Sequence, residues 1–68
     1  MSIYNTFVFL VSGREYQADV NKFFDKMYID LFEDGNFINR EYVSETDNDN
    51  LLEKIAIDML NKRIEFLS

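Results

Sequence analysis

The 68-residue chain has no cysteine, histidine, proline or tryptophan, and only two glycines. Without cysteine there is no disulfide and no thiolate metal site. Without histidine the usual imidazole metal ligand, proton shuttle and pH switch are absent. The lack of proline and the scarcity of glycine imply few irregular loops. No apolar run approaches the length of a membrane span: the longest, Phe7 to Val11, is also too short for the core of a secretion signal. The start, Met1-Ser2-Ile3-Tyr4-Asn5, carries no basic n-region. Together with the missing cysteines this leads us to expect a cytoplasmic protein.

What the chain does have is aromatic residues and acid. Seven Phe and four Tyr supply large rings for a core that a chain this short otherwise struggles to build. Homodimerisation would be a second source of stability, since it buries apolar surface that one protomer leaves exposed. The formal charge is −6. Between Met27 and Glu53 lie eight acids (Asp30, Glu33, Asp34, Glu41, Glu45, Asp47, Asp49, Glu53) and one base, Arg40. The remaining 41 residues carry five acids and six bases. The negative charge is therefore concentrated, and concentrated charge makes a directional field that selects partners. It disfavours direct contact with nucleic-acid phosphates or anionic lipid, both of which need basic patches.

No repeat, linker or low-complexity tract divides the chain, so residues 1–68 are expected to form a single domain. Ile3 to Val11 reads as a strand. The run Phe7-Val8-Phe9-Leu10-Val11 is apolar on both faces, as in a central strand covered on both sides. Ser12-Gly13-Arg14 reads as a tight turn. Tyr16, Ala18 and Val20 then alternate with polar residues, the pattern of a half-buried second strand. From Asn21 the period changes. Phe23, Phe24, Met27, Tyr28 and Leu31 recur at helical spacing and Gly35 follows as a helix stop, which favours a helix over Lys22–Glu33. The competing reading of 22–33 makes Tyr28–Phe32 a strand that turns at Asp34-Gly35 into Phe37–Val43. Phe37 to Val43 is a short strand, and Ser44 to Asn50 an acidic connection. A final helix starts at a capping box formed by Asn50 and Glu53. Its buried stripe is Leu52, Ile55, Ala56, Met59, Leu60 and Ile64. Asp58 and Lys62 are spaced to pair along it. The expected fold class is α+β: a small single domain of order ββαβα, a three-stranded antiparallel sheet with two helices. Helices on one face of such a sheet would leave half of the first strand in water. Phe7, Phe9 and Val11 are therefore candidates for self-association.

Catalysis has little to work with. Ser2, Ser12, Ser44 and Ser68 have no imidazole partner. Glu41 with Glu45 or Asp34 could in principle act as a carboxylate pair on a glycoside, and Glu41 with Tyr42 could serve a small enzyme or sugar binder. So small a domain has scant room for the necessary cleft, and a non-enzyme is expected. Asp47-Asn48-Asp49-Asn50 resembles the start of a calcium loop. The sixth and twelfth positions, however, hold Leu52 and Asp58 in place of the required Gly and Glu. No metal or other cofactor is expected, and Arg14 in its turn reads as a solvated cation.

The acidic segment suggests a different role. Carboxylates a few ångströms apart on a rigid support can imitate the phosphates of a duplex, which carries one charge per about 1.7 Å of axis. Asp34-Gly35-Asn36, then Glu41-Tyr42-Val43-Ser44-Glu45, then Asn48 and Glu53-Lys54, resembles the hairpin-to-helix segment of small anti-CRISPR proteins that inhibit Cas9. The likeness does not extend to residues 1–30. It implies a phage-type viral inhibitor, an acidic DNA mimic occupying the site where a nuclease reads its duplex. Asp34, Glu41, Glu45 and Glu53 are the positions carried by the resemblance; Asp47 and Asp49 join them on charge alone. The expectation is thus a small acidic binding protein that blocks a basic, nucleic-acid-binding surface of a larger host protein such as a nuclease or polymerase. The alternative is a structural or assembly module that homodimerises or docks through the apolar strand 7–11.

Overall fold

Two-residue turns at Ser12-Gly13, Phe24-Asp25 and Asp34-Gly35 divide the first two thirds of the chain into four strands. In the computed structural model, which describes residues 2–68, these are β1 (Ser2–Val11), β2 (Arg14–Phe23), β3 (Lys26–Glu33) and β4 (Asn36–Val43). They pair antiparallel in the order β1-β2-β3-β4, each beside its sequence neighbour. One helix, α1 (Asp49–Leu67), follows. The order is therefore ββββα, which corrects the expected ββαβα: there are four strands and one helix, not three and two.

The error lies in Lys22–Glu33, where the end of β2, a turn and β3 replace the expected helix. Phe23, Phe24, Met27, Tyr28 and Leu31 fit a helical stripe, but the same stretch also fits a period of two. Met27, Ile29 and Leu31 face α1, while Tyr28, Asp30 and Phe32 face the other way. Gly35 does not stop a helix; it is the second residue of a hairpin turn. Asp34 at φ 49° and Gly35 at φ 84° have the paired positive values of a type I′ turn, whose twist matches antiparallel strands. Ser12 (φ 52°) and Gly13 (φ 79°) repeat that geometry between β1 and β2.

The core lies between one sheet face and α1. Tyr16, Ala18 and Val20 from β2 and Met27, Ile29 and Leu31 from β3 meet Leu52, Ala56, Met59 and Leu60. Ile55 and Ile64 flank them, partly buried. The helix thus lies over the two middle strands. Its N-cap is Asn48, whose side chain accepts the Leu51 amide at 3.2 Å, so the helix begins before the expected Asn50. Lys62 reaches Glu41 on β4 at 3.8 Å, and no Asp58 pair with it occurs among the described residues. Among the described residues no helix is long and apolar enough to cross a membrane.

β1 is the largest departure in placement. Its doubly apolar run suggests a central strand, yet it sits at the edge of the sheet. Phe7, Phe9 and Val11 turn to the helix side and pack against the rim of the core. Val8 and Leu10 turn to the open face, 57% and 77% exposed.

Candidate interaction surface

The sheet face opposite α1 has two halves. On the β3–β4 half, side chains cover one another. Arg40 Nε donates to Asp30 Oδ1 at 2.7 Å and Arg40 Nη2 to Oδ2 at 3.1 Å, a two-point grip on the carboxylate. The same guanidinium lies 4.1 Å from the Tyr28 ring centroid. Tyr28 packs on Tyr42 with centroids 5.5 Å apart, and Phe32 meets Phe37 edge-on at 5.9 Å. Tyr28 and Asp30 are consequently buried although no second layer covers this face. The pairing with Asp30 holds Arg40 above its ordinary pKa.

On the β1–β2 half, Asp19 stands directly across from Asp30, a like-charge pair that would repel if left bare. Each carboxylate has its own donors. Asp19 Oδ1 accepts from Thr6 Oγ1 at 3.1 Å and from Gln17 Nε2 at 2.8 Å. Asn21 donates to the Asp19 carbonyl at 3.1 Å. Beyond Thr6, this half presents Val8 and Leu10, both exposed.

On the helix side, Glu33 is the main electrostatic anchor. Arg63 donates to it from Nη2 at 3.0 Å and from Nε at 3.3 Å, and the Tyr16 hydroxyl donates at 2.6 Å. Arg14 adds a contact at 3.6 Å. The Arg63 hydrogen bonds, then the Tyr16 hydroxyl, lower the Glu33 carboxyl to about 2. The cluster ties the C-terminal half of α1 to β2 and β3. Its acid was legible as one of the central eight, but not the arginine that reaches it from 30 residues away.

The six acidic candidates do not form one array. Asp34 is in the β3–β4 turn, where its Oδ1 accepts the Glu15 amide at 2.9 Å while its own amide donates to the Glu15 carbonyl at 2.7 Å. Glu45, Asp47 and Asp49 lie past the other end of β4, roughly 25 Å away at the usual rise per strand residue. Glu45 pairs with Lys22 at 2.6 Å, which raises the Lys22 pKa. Glu41 faces the helix and Lys62, whereas Tyr42 faces the opposite side, so those two do not share a cleft. Asp47, Asp49 and Glu53 are exposed and have no ion pair among the described residues. Of the self-association candidates, Phe7, Phe9 and Val11 are partly buried on the helix side. Between them on the same strand, Val8 and Leu10 are exposed on the opposite face. A period of two gives the alternation but not which set faces the helix.

The backbone of β1 adds what its side chains leave open. In a two-residue hairpin the residues flanking the turn, here Val11 and Arg14, exchange both their hydrogen bonds. The alternation then turns the peptide groups of Asn5, Phe7, Phe9 and Val11 toward β2, and those of Thr6, Val8 and Leu10 outward. Consistent with this, the Thr6 amide is taken by the neighbouring Asn5 side chain at 2.8 Å, not by β2. β1 contains no charged residue in its ten positions. Compared with protein-family models, curated proteins and solved structures, the chain matches none.

Proposed function

We propose that this chain is a small, cytoplasmic, non-catalytic protein-interaction module that docks through the edge of β1. One observation carries the reading: a ten-residue edge strand without a charge, with Val8 and Leu10 exposed beside outward-facing peptide groups. Soluble proteins normally protect such an edge with charges, proline or strong bulges, because it is a template for another strand. Docking of this kind draws affinity from main-chain hydrogen bonds and specificity from alternate side chains.

A second reading, the acidic decoy of a phage-type inhibitor, retains one supporting observation. Asp47, Asp49 and Glu53 lie exposed around the start of α1 and form no ion pair among the described residues, although Asp47 lies close enough to Lys22 to act on its charge. These acids would then meet the basic surface of a host nuclease or polymerase. Ion pairing of Glu41 and Glu45, and the distance of Asp34, favour the strand-docking reading over it.

Capture from host lysate with two variants separates the readings. Val8→Lys/Leu10→Lys alters the edge; Glu45→Lys/Asp47→Lys/Asp49→Lys reverses the acidic end. Proteins lost by the first variant and kept by the second support docking through β1. Retention and solution mass both unchanged by the β1 variant overturn it, and loss confined to the acidic variant establishes the decoy in its place. Raised salt should leave the β1 contact largely intact and weaken a charge-driven one.

A further inference from the structure

The two sheet edges are unequally suited to a partner, and β1 is suited to a particular one. We propose that the strand added at β1 is the β1 of a second copy, related by a two-fold axis that passes through Val8; this rests on the reading of β1 as a docking edge. Three observations converge on it.

The first is charge. Each chain carries −6, so two copies repel over most of their surfaces. β1 is the one strand without charge. It is where two acidic copies can meet with no carboxylates set opposite one another.

The second is register. The β1–β2 ladder shifts between Ile3 and Asn5, so the regular part of β1 runs from Asn5 to Val11, and its midpoint is Val8. Antiparallel pairing about that midpoint sets Val8 against Val8 of the second copy, Phe7 against its Phe9, and Thr6 against its Leu10. The outward peptide groups are those of Thr6, Val8 and Leu10, so the Val8 pair and each Thr6–Leu10 pair are the hydrogen-bonded ones. Leu10 amides reach Thr6 carbonyls without disturbing the Asn5 side chain already on the Thr6 amide.

The third is the seam this register makes. On the helix side each Phe7 meets a Phe9 at a non-hydrogen-bonded pair, the closer of the two spacings. These rings are only partly buried in one chain, because α1 lies over β2 and β3. On the open side, Val8 meets Val8 and Leu10 packs over Thr6. The product is a continuous eight-stranded antiparallel sheet with both helices on one face. A two-fold operator closes it, so assembly stops at the dimer.

The test is mass in solution by light scattering, from low micromolar to near-millimolar protein. The wild-type chain should pass from 8.1 kDa to twice that mass. Val8→Lys alone and Val8→Glu alone should each weaken association by roughly a hundredfold, since each sets like charges against one another on the axis. Mixed together, they should recover the dimer as a heterodimer. Circular dichroism of each variant confirms the fold; Val8 is exposed, so both substitutions keep it. Amide exchange should slow at Val8 and Leu10 as the dimer forms. A wild-type chain that stays at 8.1 kDa overturns the second copy as occupant; the docking edge itself is judged by the capture experiment. A dimer unaffected by Val8→Lys overturns β1 as the contact between copies. Dimers lost in both variants and not recovered on mixing overturn the axis at Val8.

Discussion

The two edges of the sheet were formed by the same chain under the same constraint, and they meet it differently. β4 carries Arg40 and Glu41 and pairs with β3 through a register shift opposite Leu31 and Phe32. Arg40 lies across Tyr28 and holds Asp30, and Glu41 meets Lys62 from the helix. β1 has no charge to make such contacts. Its irregularity is confined to one end, between Ile3 and Asn5. The ion pairs of the helix reflect the same asymmetry: Arg63 to Glu33 on β3 and Lys62 to Glu41 on β4, with none to β1 among the described residues. The sheet is thus closed by charge on one side and left open on the other. Such an open edge is a liability unless it is used.

The largest effect expected is one that abolishes the contrast. Leu52, on α1, is fully buried in the core that the helix shares with β2 and β3. Leu52→Ala should cost about 2–5 kcal/mol through lost burial and a cavity. A domain of this size has only about 3–10 kcal/mol in total. Urea unfolding should show the loss, with amide protection falling in β2 and β3 together. A variant that unfolds β1 alone would show that the edges are not supported by a common core.

A more selective change makes the edges more alike. Asp30→Asn/Arg40→Leu removes both charges at once, so that no unpaired buried carboxylate remains. β4 then keeps Glu41 as its one charge, paired with Lys62, and a chain with a second, less guarded edge should form species larger than a dimer, seen by light scattering. Assembly no larger than that of the wild type would mean that Arg40 does not guard β4. Tyr42→Lys, on the same strand, should leave the mass as it is.

The smallest effect sharpens the account of how α1 is held. The folded Glu33 carboxyl, at about 2, lies well below its ordinary value of 4.5. A lowered pKa means that the folded state prefers the ionised form. Its contribution is complete above about pH 4.5 and is lost as the pH falls toward 2. Glu33→Gln should remove this part of the acid dependence, lowering the urea midpoint at neutral pH and leaving it nearly level through that window. An unchanged acid slope would place the dependence elsewhere.

Much of the local structure was legible before the fold. The α1 stripe of Leu52, Ala56, Met59 and Leu60 follows from helical spacing, and these residues are buried as that spacing requires. The alternation of Tyr16, Ala18 and Val20 marks β2 and its buried face in the same way. Residues 22–33 were ambiguous because large apolar side chains at nearly every second or third position satisfy both periods. Long-range pairing resolved them. As a strand, β3 finds partners on both sides for its peptide groups, and Asp34-Gly35 supplies the turn that makes this possible. The acids were legible as a run but not as an arrangement, since β4 separates Asp34 from Glu45 by its whole length and bases distant in sequence arrive to pair with Glu33, Glu41 and Glu45.

The sequence by itself determined that the chemistry of histidine and cysteine is absent, that the chain ends in an amphipathic helix, and that β1 is uncharged and apolar on both sides. Those properties belong to residue types and to spacing within one segment. Only the tertiary structure decided that β1 lies at the edge, that Val8 and Leu10 are the side chains left in water, and that most of the bases are taken up in ion pairs. These depend on where one helix, wide enough to cover the two middle strands, comes to rest on four, and no single segment encodes that.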